Sequence, residues 1–459
     1  MIKLNPDLKA ADLNIKLQRF WDLSAEKIRL IKKNYEVSEG APVFTVKGVY
    51  TSKGWTEWTQ GFQYGSAILQ YDATGDQSFL ESGRRKTIDL MAPHVSHTGV
   101  HDHGFNNVST FGNLLRLMHE GKIEFNERER DFYALALKIS GAVQASRWTA
   151  IKDGGFIYSF NGPHSLFVDT IRSVRSLILS HSLGHVLQAE GDRRISLLER
   201  AVQHLKATAD YSVFYGEDRD IYDIRGRTAH ESIFNIKDGN FRCPGTQQGY
   251  SGFSTWTRGL GWAICGFAEQ LEWFDTVNET GLEAFPDKAG ILSFLLKAAK
   301  ATCDFYIASS PADGVPYWDT GAPDLYKLDD YLNKPADPFN EFEPVDSSAA
   351  AIAAQGLLRL GRYLHQHKEG EAGDRYWQAG LTVLNAILDE PYLSTAPEHQ
   401  GLLLHTIYHR PNGWDHIPDG GKIPYGESSM WGDYHIREAA LYLQRVINKE
   451  PYYTFFNIQ

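Results

Sequence analysis

Residues 58–92 read WTQGFQYGSAILQYDATGDQSFLESGRRKTIDLMA, and this stretch sets the architecture. Apolar residues recur at helical spacing over 58–73 and again over 76–92. Between the two runs, Thr74-Gly75-Asp76 supplies a left-handed stop and an aspartate cap for the second helix. The unit is a helical hairpin. The same punctuation stands at Glu190-Gly191-Asp192 and Ala372-Gly373-Asp374.

Ten further amphipathic stretches follow outward from this unit: 7–34, 105–120, 126–147, 166–189, 192–211, 255–274, 285–307, 347–367, 373–388 and 430–446. Twelve helices make six hairpins, with the alternate helices rich in Gly, Ala, Ser and Trp. The pattern predicts an all-α chain folded as an (α/α)6 toroid. A length of 459 residues would ordinarily suggest about three domains. A closed ring of twelve helices uses that length as one unit, and no linker rich in Pro, Gly or Ser divides the chain. A single catalytic domain over 1–459 is expected.

The main break in helix is 232–243, SIFNIKDGNFRC, where two β-prone runs flank Asp238-Gly239, a hairpin signal. Reflection about that turn sets His230 opposite Gln247 and brings Gln248 to the same rim.

From that rim runs QQGYSGFSTWTRGLGWAICGF, residues 247–267. Ser254 reads as an N-cap, and Arg258 and Trp262 fall four apart on one helical face. They combine a carboxylate-binding fork with a flat ring for stacking. Gly259, Ala263 and Gly266 lie on another face and would admit a close neighbour.

The net charge of −11 argues against nucleic acid or an anionic membrane as a partner. An anionic substrate would need locally placed arginines. The start MIKLNPDLKAADLNIK lacks the basic and apolar regions of a secretory signal, and no segment approaches the ~20 apolar residues of a membrane span. Three scattered cysteines, Cys243, Cys265 and Cys303, form neither a disulfide framework nor a zinc spacing. A cytoplasmic protein is expected, with a monomer as the plain expectation for a closed toroid.

The 247–267 string resembles the signature of unsaturated glucuronyl hydrolases, glycoside hydrolase family 88. Gln248, Gly249, Tyr250, Ser254, Thr255, Trp256, Arg258, Gly259 and Trp262 stand at its positions. Further resemblance follows in order along the chain: WTEWTQGFQYGSAILQYDATGD (55–76) with Trp58 at an active-site tryptophan position, HDHGF (101–105), LFVDTIRS (166–173), GVPYWDTGAP (314–323), VDSSAAAIAAQGLLRLG (345–361) and SSMWGDYHIREAALYLQR (428–445).

This resemblance implies release of a 4,5-unsaturated uronic acid from the non-reducing end of polysaccharide-lyase products by hydration of its C4=C5 bond. Asp169 would be the general acid and base and Asp102 the supporting carboxylate. Trp58, His230, Gln248, Trp256, Arg258 and Trp262 would bind substrate or hold the site. No cofactor and no metal are implied. On residue pattern alone, an aspartate before an apolar helix reads first as an N-cap.

Several departures stand out. Arg172 lies three residues after Asp169, where a cation would depress the carboxyl and oppose proton donation. Either it points away or it binds an anionic group. Gln247, Gly252-Phe253 and Leu260 replace family residues, and 324–344 is longer than the family loop, which would suit a wall of the cleft. His94, His97, His101 and His103 around Asp102 resemble a metal set, but Pro93 and Gly99 break the helix such a set would need. Asp346, Ser347 and Ser348 read as a cap and a close-packed helix start, and Trp318-Asp319 as a rim element. Other readings are an unsaturated rhamnogalacturonyl hydrolase, a sugar epimerase or isomerase using His230 with His405, and a non-catalytic carbohydrate-binding toroid.

Overall fold

The computed structural model describes residues 1–54, 57–277 and 287–458. Trp55, which opens the 55–76 motif, and Phe285, the expected start of a helix, lie outside them.

Within that range the twelve expected helices are present. They are α1 Asn14–Asn34, α2 Gln60–Thr74 and α3 Gln77–Leu90; then α4, which runs His103–Asn107, passes a π turn at Val108–Gly112 and continues Asn113–His119. Next come α5 Glu127–Ser146, α6 as Thr170–Ser173 and Arg175–Ser182, and α7 Leu197–Ala207 with a π turn at Thr208–Ser212. The last five are α8 Thr257–Thr276, α9 Lys288–Ser309, α10 Ser347–Gln366, α11 Gly370–Ile387 and α12 Met430–Ile447.

The even-numbered helices pack side by side, and α12 returns against α2 to close an inner ring; the odd-numbered ones lie outside it. This is an (α/α)6 toroid. Composition explains the partition. Every residue of α8 from Thr257 to Phe274 is buried, and its charged members Arg258, Glu269 and Glu272 are paired inside the ring. Outer α1 buries a stripe, including Leu17, Phe20, Trp21 and Ile31. Inner helices approach closely through glycine: a Cβ at Gly356 on α10 would lie 2.7 Å from Cys265 Cα on α8.

Of the three Gly-Asp turns, one behaves as read. Gly75 is left-handed, with φ 74°, and the Asp76 carboxylate caps α3 through Ser78 N–H. Asp192 lies in a short turn between two-residue strands, and Ser196 caps α7 instead. Gly373 sits inside α11, facing Gly361 on α10, so it serves helix contact and not chain reversal.

The 166–189 run is also not one helix. Its first residues form a strand, Ser165–Phe167, antiparallel to Glu231–Phe234, which pairs in turn with Phe241–Gly245. The apolar triplet Leu166-Phe167-Val168 is buried between sheet and ring, and a short buried strand cannot be told from a helix by periodicity. This sheet delivers Asp169 to the start of α6. Among the described residues no helix is long and apolar enough to cross a membrane.

Candidate active site

Because inner and outer helices alternate, all six inner helices point the same way. Their N-termini gather at one end, where about half a positive charge per helix favours an anion. A cavity of about 410 Å³ opens there, lined by Trp58, Asp102, Asp169, Gln248, Trp256, Arg258 and Trp262 among others. Seven of the eight site residues expected from sequence therefore line one cavity. His230 lies behind it.

Asp102 and Asp169 occupy the N-cap positions of α4 and α6, yet neither side chain caps its helix. Asp76 and Asp346 do cap theirs. The two cavity carboxylates thus forgo the bond that makes aspartate common at this position. Both are 8% exposed, and Asp169 Oδ1 is buried without a partner. His101 Nε2 lies between them, 3.7 Å from Asp102 Oδ1 and 3.9 Å from Asp169 Oδ1.

Burial raises the Asp169 carboxyl to about 7 against the pull of Arg258. Burial, and then the charge of Asp169, raises Asp102 to about 8. His101 is held neutral, lowered to about 3 by burial and by Arg147. Carboxyls raised this far can hold a proton near neutrality.

Glycine sets their spacing. Gly104, in the HDHGF motif, packs on Ser173 of α6, whose hydroxyl accepts its N–H at 2.8 Å. From α5, Gln144 accepts His103 N–H at 3.1 Å and donates to His101 O at 2.7 Å, fixing the turn that carries Asp102.

Arg172 points away from Asp169. Its guanidinium forks onto Glu269 at 3.0 and 2.8 Å and reaches Glu438 at 2.5 Å, fully buried in the ring. The anion-binding alternative for Arg172 falls with that geometry.

Arg258 is occupied as well. Nη2 donates to Gln248 Oε1 at 2.6 Å and Tyr408 O at 2.8 Å; Nη1 donates to Asp346 Oδ2 at 3.2 Å and to Ile407 O. The guanidinium lies between the rings of Trp256 and Trp431, 4.6 and 4.7 Å from their centroids. Trp262 turns instead to Phe105 and His435. The Arg258 guanidinium is thus held by the protein while it also lines the cavity.

His230 Nδ1 accepts the backbone N–H of Gln247 at 3.0 Å and of Gln248 at 3.3 Å. Its ring packs on Trp256 and Phe167. The expected register was one residue off: Glu231 faces Gly245, so His230 falls level with Thr246, and a bulge at Ile233/Phe234 shifts the hairpin. Ser254 is not the cap of α8 either. The helix starts at Thr257, with Trp256 at the N-cap, and Thr257 N–H goes to Trp318 O at 3.1 Å.

Asp346 caps α10 through Ser348 N–H, as read, and also binds Arg258. Asp319 is a buried anchor for Tyr250 N–H and Gly321 N–H. Nothing in 324–344 lines the cavity. Glu343 holds Trp318 Nε1, and Phe339 stands edge-on to His405 and Tyr425. His103 bonds Ser140 and His97 O, and among the described residues no three His, Cys, Asp or Glu converge as a metal would need.

Sequence reasoning missed other residues of the lining: Phe160, Tyr408, His409, Asn412 and Trp414. The one available signal was the turn in HRPNGW, where Gly413 is left-handed.

No family model matches the chain. It is 28% identical over 393 residues to the unsaturated glucuronyl hydrolase of Bacillus sp. (strain GL1), covering 85% of this chain and 87% of that protein. The chain is a homologue of the unsaturated glucuronyl hydrolases. It is also 25% identical over 438 residues to the unsaturated chondroitin disaccharide hydrolase of Streptococcus pyogenes serotype M1, covering 92% and 89%. Among solved structures, the Bacillus sp. GL1 glucuronyl hydrolase superposes with TM-score 0.67 at 24% identity, covering 93% of this chain and 96% of that one. An unsaturated glucuronyl hydrolase specific for heparin gives TM-score 0.70 at 18% identity, with 95% and 98% covered. The glucuronyl hydrolase toroid is thus shared over nearly the whole chain.

Proposed function

We propose that this chain is a glycoside hydrolase that removes a 4,5-unsaturated uronic acid from the non-reducing end of lyase-generated oligosaccharides by hydrating the C4=C5 bond. The observation that carries this reading is the pair Asp102 and Asp169, two uncapping carboxyls on one cavity wall with Asp169 raised to about 7.

In this reading the Asp169 carboxyl gives its proton to C4, and positive charge develops at C5 and the ring oxygen. Water adds to C5 and returns a proton to the Asp169 carboxylate, restoring it. The hemiketal formed at C5 opens, and the neighbouring sugar leaves with its own oxygen. Carboxylate separation therefore says nothing about inversion or retention, since C1 is not attacked. Burial keeps the acid form of Asp169 populated, and Gln248, held by Arg258, orients water or a hydroxyl. Trp58 and Trp256 wall the ring. The six helix N-termini favour the uronate.

The relatives' names, glucuronyl and chondroitin disaccharide hydrolase, support the glucuronyl over the rhamnogalacturonyl variant. An epimerase would need His405 beside the sugar, but that ring packs against Phe339 and Tyr392 and is not among the cavity-lining residues. The closed ring suits one catalytic domain over 1–459. Three free cysteines suit a reducing cytoplasm.

The test is the loss of ultraviolet absorbance of the conjugated C4=C5 bond in unsaturated chondroitin disaccharide. Wild type should remove it and Asp169→Asn should not. Persistence of the absorbance with every unsaturated uronyl disaccharide would remove the reading.

A further inference from the structure

The loops that lead away from Gln248 carry a feature that the reaction does not use. Tyr222 and Phe253 pair ring to ring, with centroids 4.8 Å apart and planes at 35°, yet remain 45% and 46% exposed. Ile221, Ile224 and Tyr250, close in sequence, are 92%, 59% and 51% exposed. Apolar side chains gathered in the open in this way mark a contact surface.

The display is braced from beneath. Arg227 is buried at 2% exposure and stacks on Phe214, its guanidinium carbon 3.6 Å from the ring centroid. Its Nε donates to Tyr222 O at 2.8 Å and its Nη1 to Gly252 O at 3.3 Å. One buried side chain thus ties together the two loops that present the ring pair.

The platform follows directly in the chain from the cavity wall. Gln247 and Gln248 line the cavity wall, and Phe253 follows Gln248 by five residues. At no more than ~3.6 Å per residue, it lies within about 18 Å of that wall, the reach of a few sugar units. Aromatic faces with a polar edge, as on Tyr222 and Tyr250, suit the apolar face of a pyranose ring and its hydroxyls.

We propose that Tyr222 and Phe253, with Tyr250, form a distal subsite for the sugars of an oligosaccharide longer than the disaccharide that fills the cavity. This rests on the hydrolase reading for the identity of the near end, but the subsite makes its own claim about chain length.

The experiment compares unsaturated chondroitin disaccharide with the corresponding hexasaccharide, using wild type and the double variant Tyr222→Ala/Phe253→Ala. Turnover is followed by absorbance. Binding of the same two probes is measured calorimetrically in the Asp169→Asn background. Wild type should favour the hexasaccharide in kcat/KM and in affinity by about fivefold, the scale of one or two aromatic contacts. The double variant should lose that preference while keeping its disaccharide kinetics.

A wild-type ratio near one, or a preference that survives in the double variant, overturns the subsite while leaving the hydrolase reading intact. Absence of turnover together with a length-dependent affinity that the double variant abolishes removes the hydrolase reading and supports the subsite. No binding of either probe removes the subsite as well. Concentration-dependent self-association in sedimentation that vanishes in the double variant would reassign the patch to contact between copies and likewise overturn it.

Discussion

Gly104 rests so closely on Ser173 that a Cβ in place of its hydrogen would stand 2.5 Å from Ser173 Cα. The contact joins the two helices whose first turns hold Asp102 and Asp169, so the spacing of the carboxyls is set by backbone packing. Gly104→Ala should destabilise the fold by about 1–3 kcal/mol, the cost of overpacking, and lower kcat more than it raises KM. Urea titration and steady-state kinetics on unsaturated disaccharide check both. Unchanged kcat in a folded variant would mean that the spacing does not govern the chemistry.

The pH dependence follows from the raised carboxyl. Asp169 is held up to about 7 by burial, and it must be protonated to donate to C4. The rate should therefore fall as pH rises through about 7, where the acid is lost. Asp169→Glu, if active at all, should place the limb elsewhere. A rate flat from pH 6 to 9 would speak against Asp169 as the donor.

Stability should carry the same signature. Asp102 titrates at about 8 in the folded chain against an ordinary value near 3.8, so the native state binds its proton more tightly than the unfolded chain. That contribution is full below pH 4 and is lost as pH rises toward 8. Asp102→Asn, which imitates the neutral acid, should be more stable than wild type above pH 8 by about 1–3 kcal/mol and should lose the difference near pH 4. Thermal melts at the two pH values decide it.

Arg172 tests structure apart from chemistry. Its removal leaves Glu269 and Glu438 buried with Arg175, at 3.7 and 3.8 Å, as the cation in place of a direct fork, and with the neutral donors Gln355 and Tyr453 on Glu438. Arg172→Ala should cost about 3–5 kcal/mol. Whatever folds should keep the same pH midpoint of activity, because the guanidinium does not reach Asp169. A shifted midpoint would place its charge back in the site.

Arg258→Lys should act through Gln248. A lysine keeps the charge but cannot bond Gln248, Asp346 and two carbonyls at once. A loss of about 10–100-fold in kcat/KM is expected, mostly in kcat, from a misplaced Gln248. Equal loss from Gln248→Ala, with no further loss in the double variant, would be the coupling signature.

The ring was legible because amphipathic period and length survive in most of its helices. Its details were less so where tertiary contacts override local signals. Leu166-Phe167-Val168 is a strand because Glu231–Phe234 lies beside it, a partner distant in sequence. Gly373 looks like a stop but serves helix packing. Ser254 has the chemistry of a cap, while the carbonyl of Trp318 takes that place. The register of His230 slipped by one through a bulge that no turn dipeptide announces. Asp102 and Asp169 came from motif resemblance, since N-cap statistics alone argue for the ordinary role. Phe160, Tyr408, Asn412 and Trp414 sit on loops without period, and only the fold brings them to the cavity.

The central claim is that Asp169 protonates C4 of an unsaturated uronide. Its most direct test is turnover of unsaturated chondroitin disaccharide in D₂O, with the released uronate read by NMR. The account predicts one deuterium at C4 for wild type and no product for Asp169→Asn. A released sugar that keeps its C4=C5 bond and carries no deuterium at C4 would mean cleavage at the glycosidic carbon, and would contradict it.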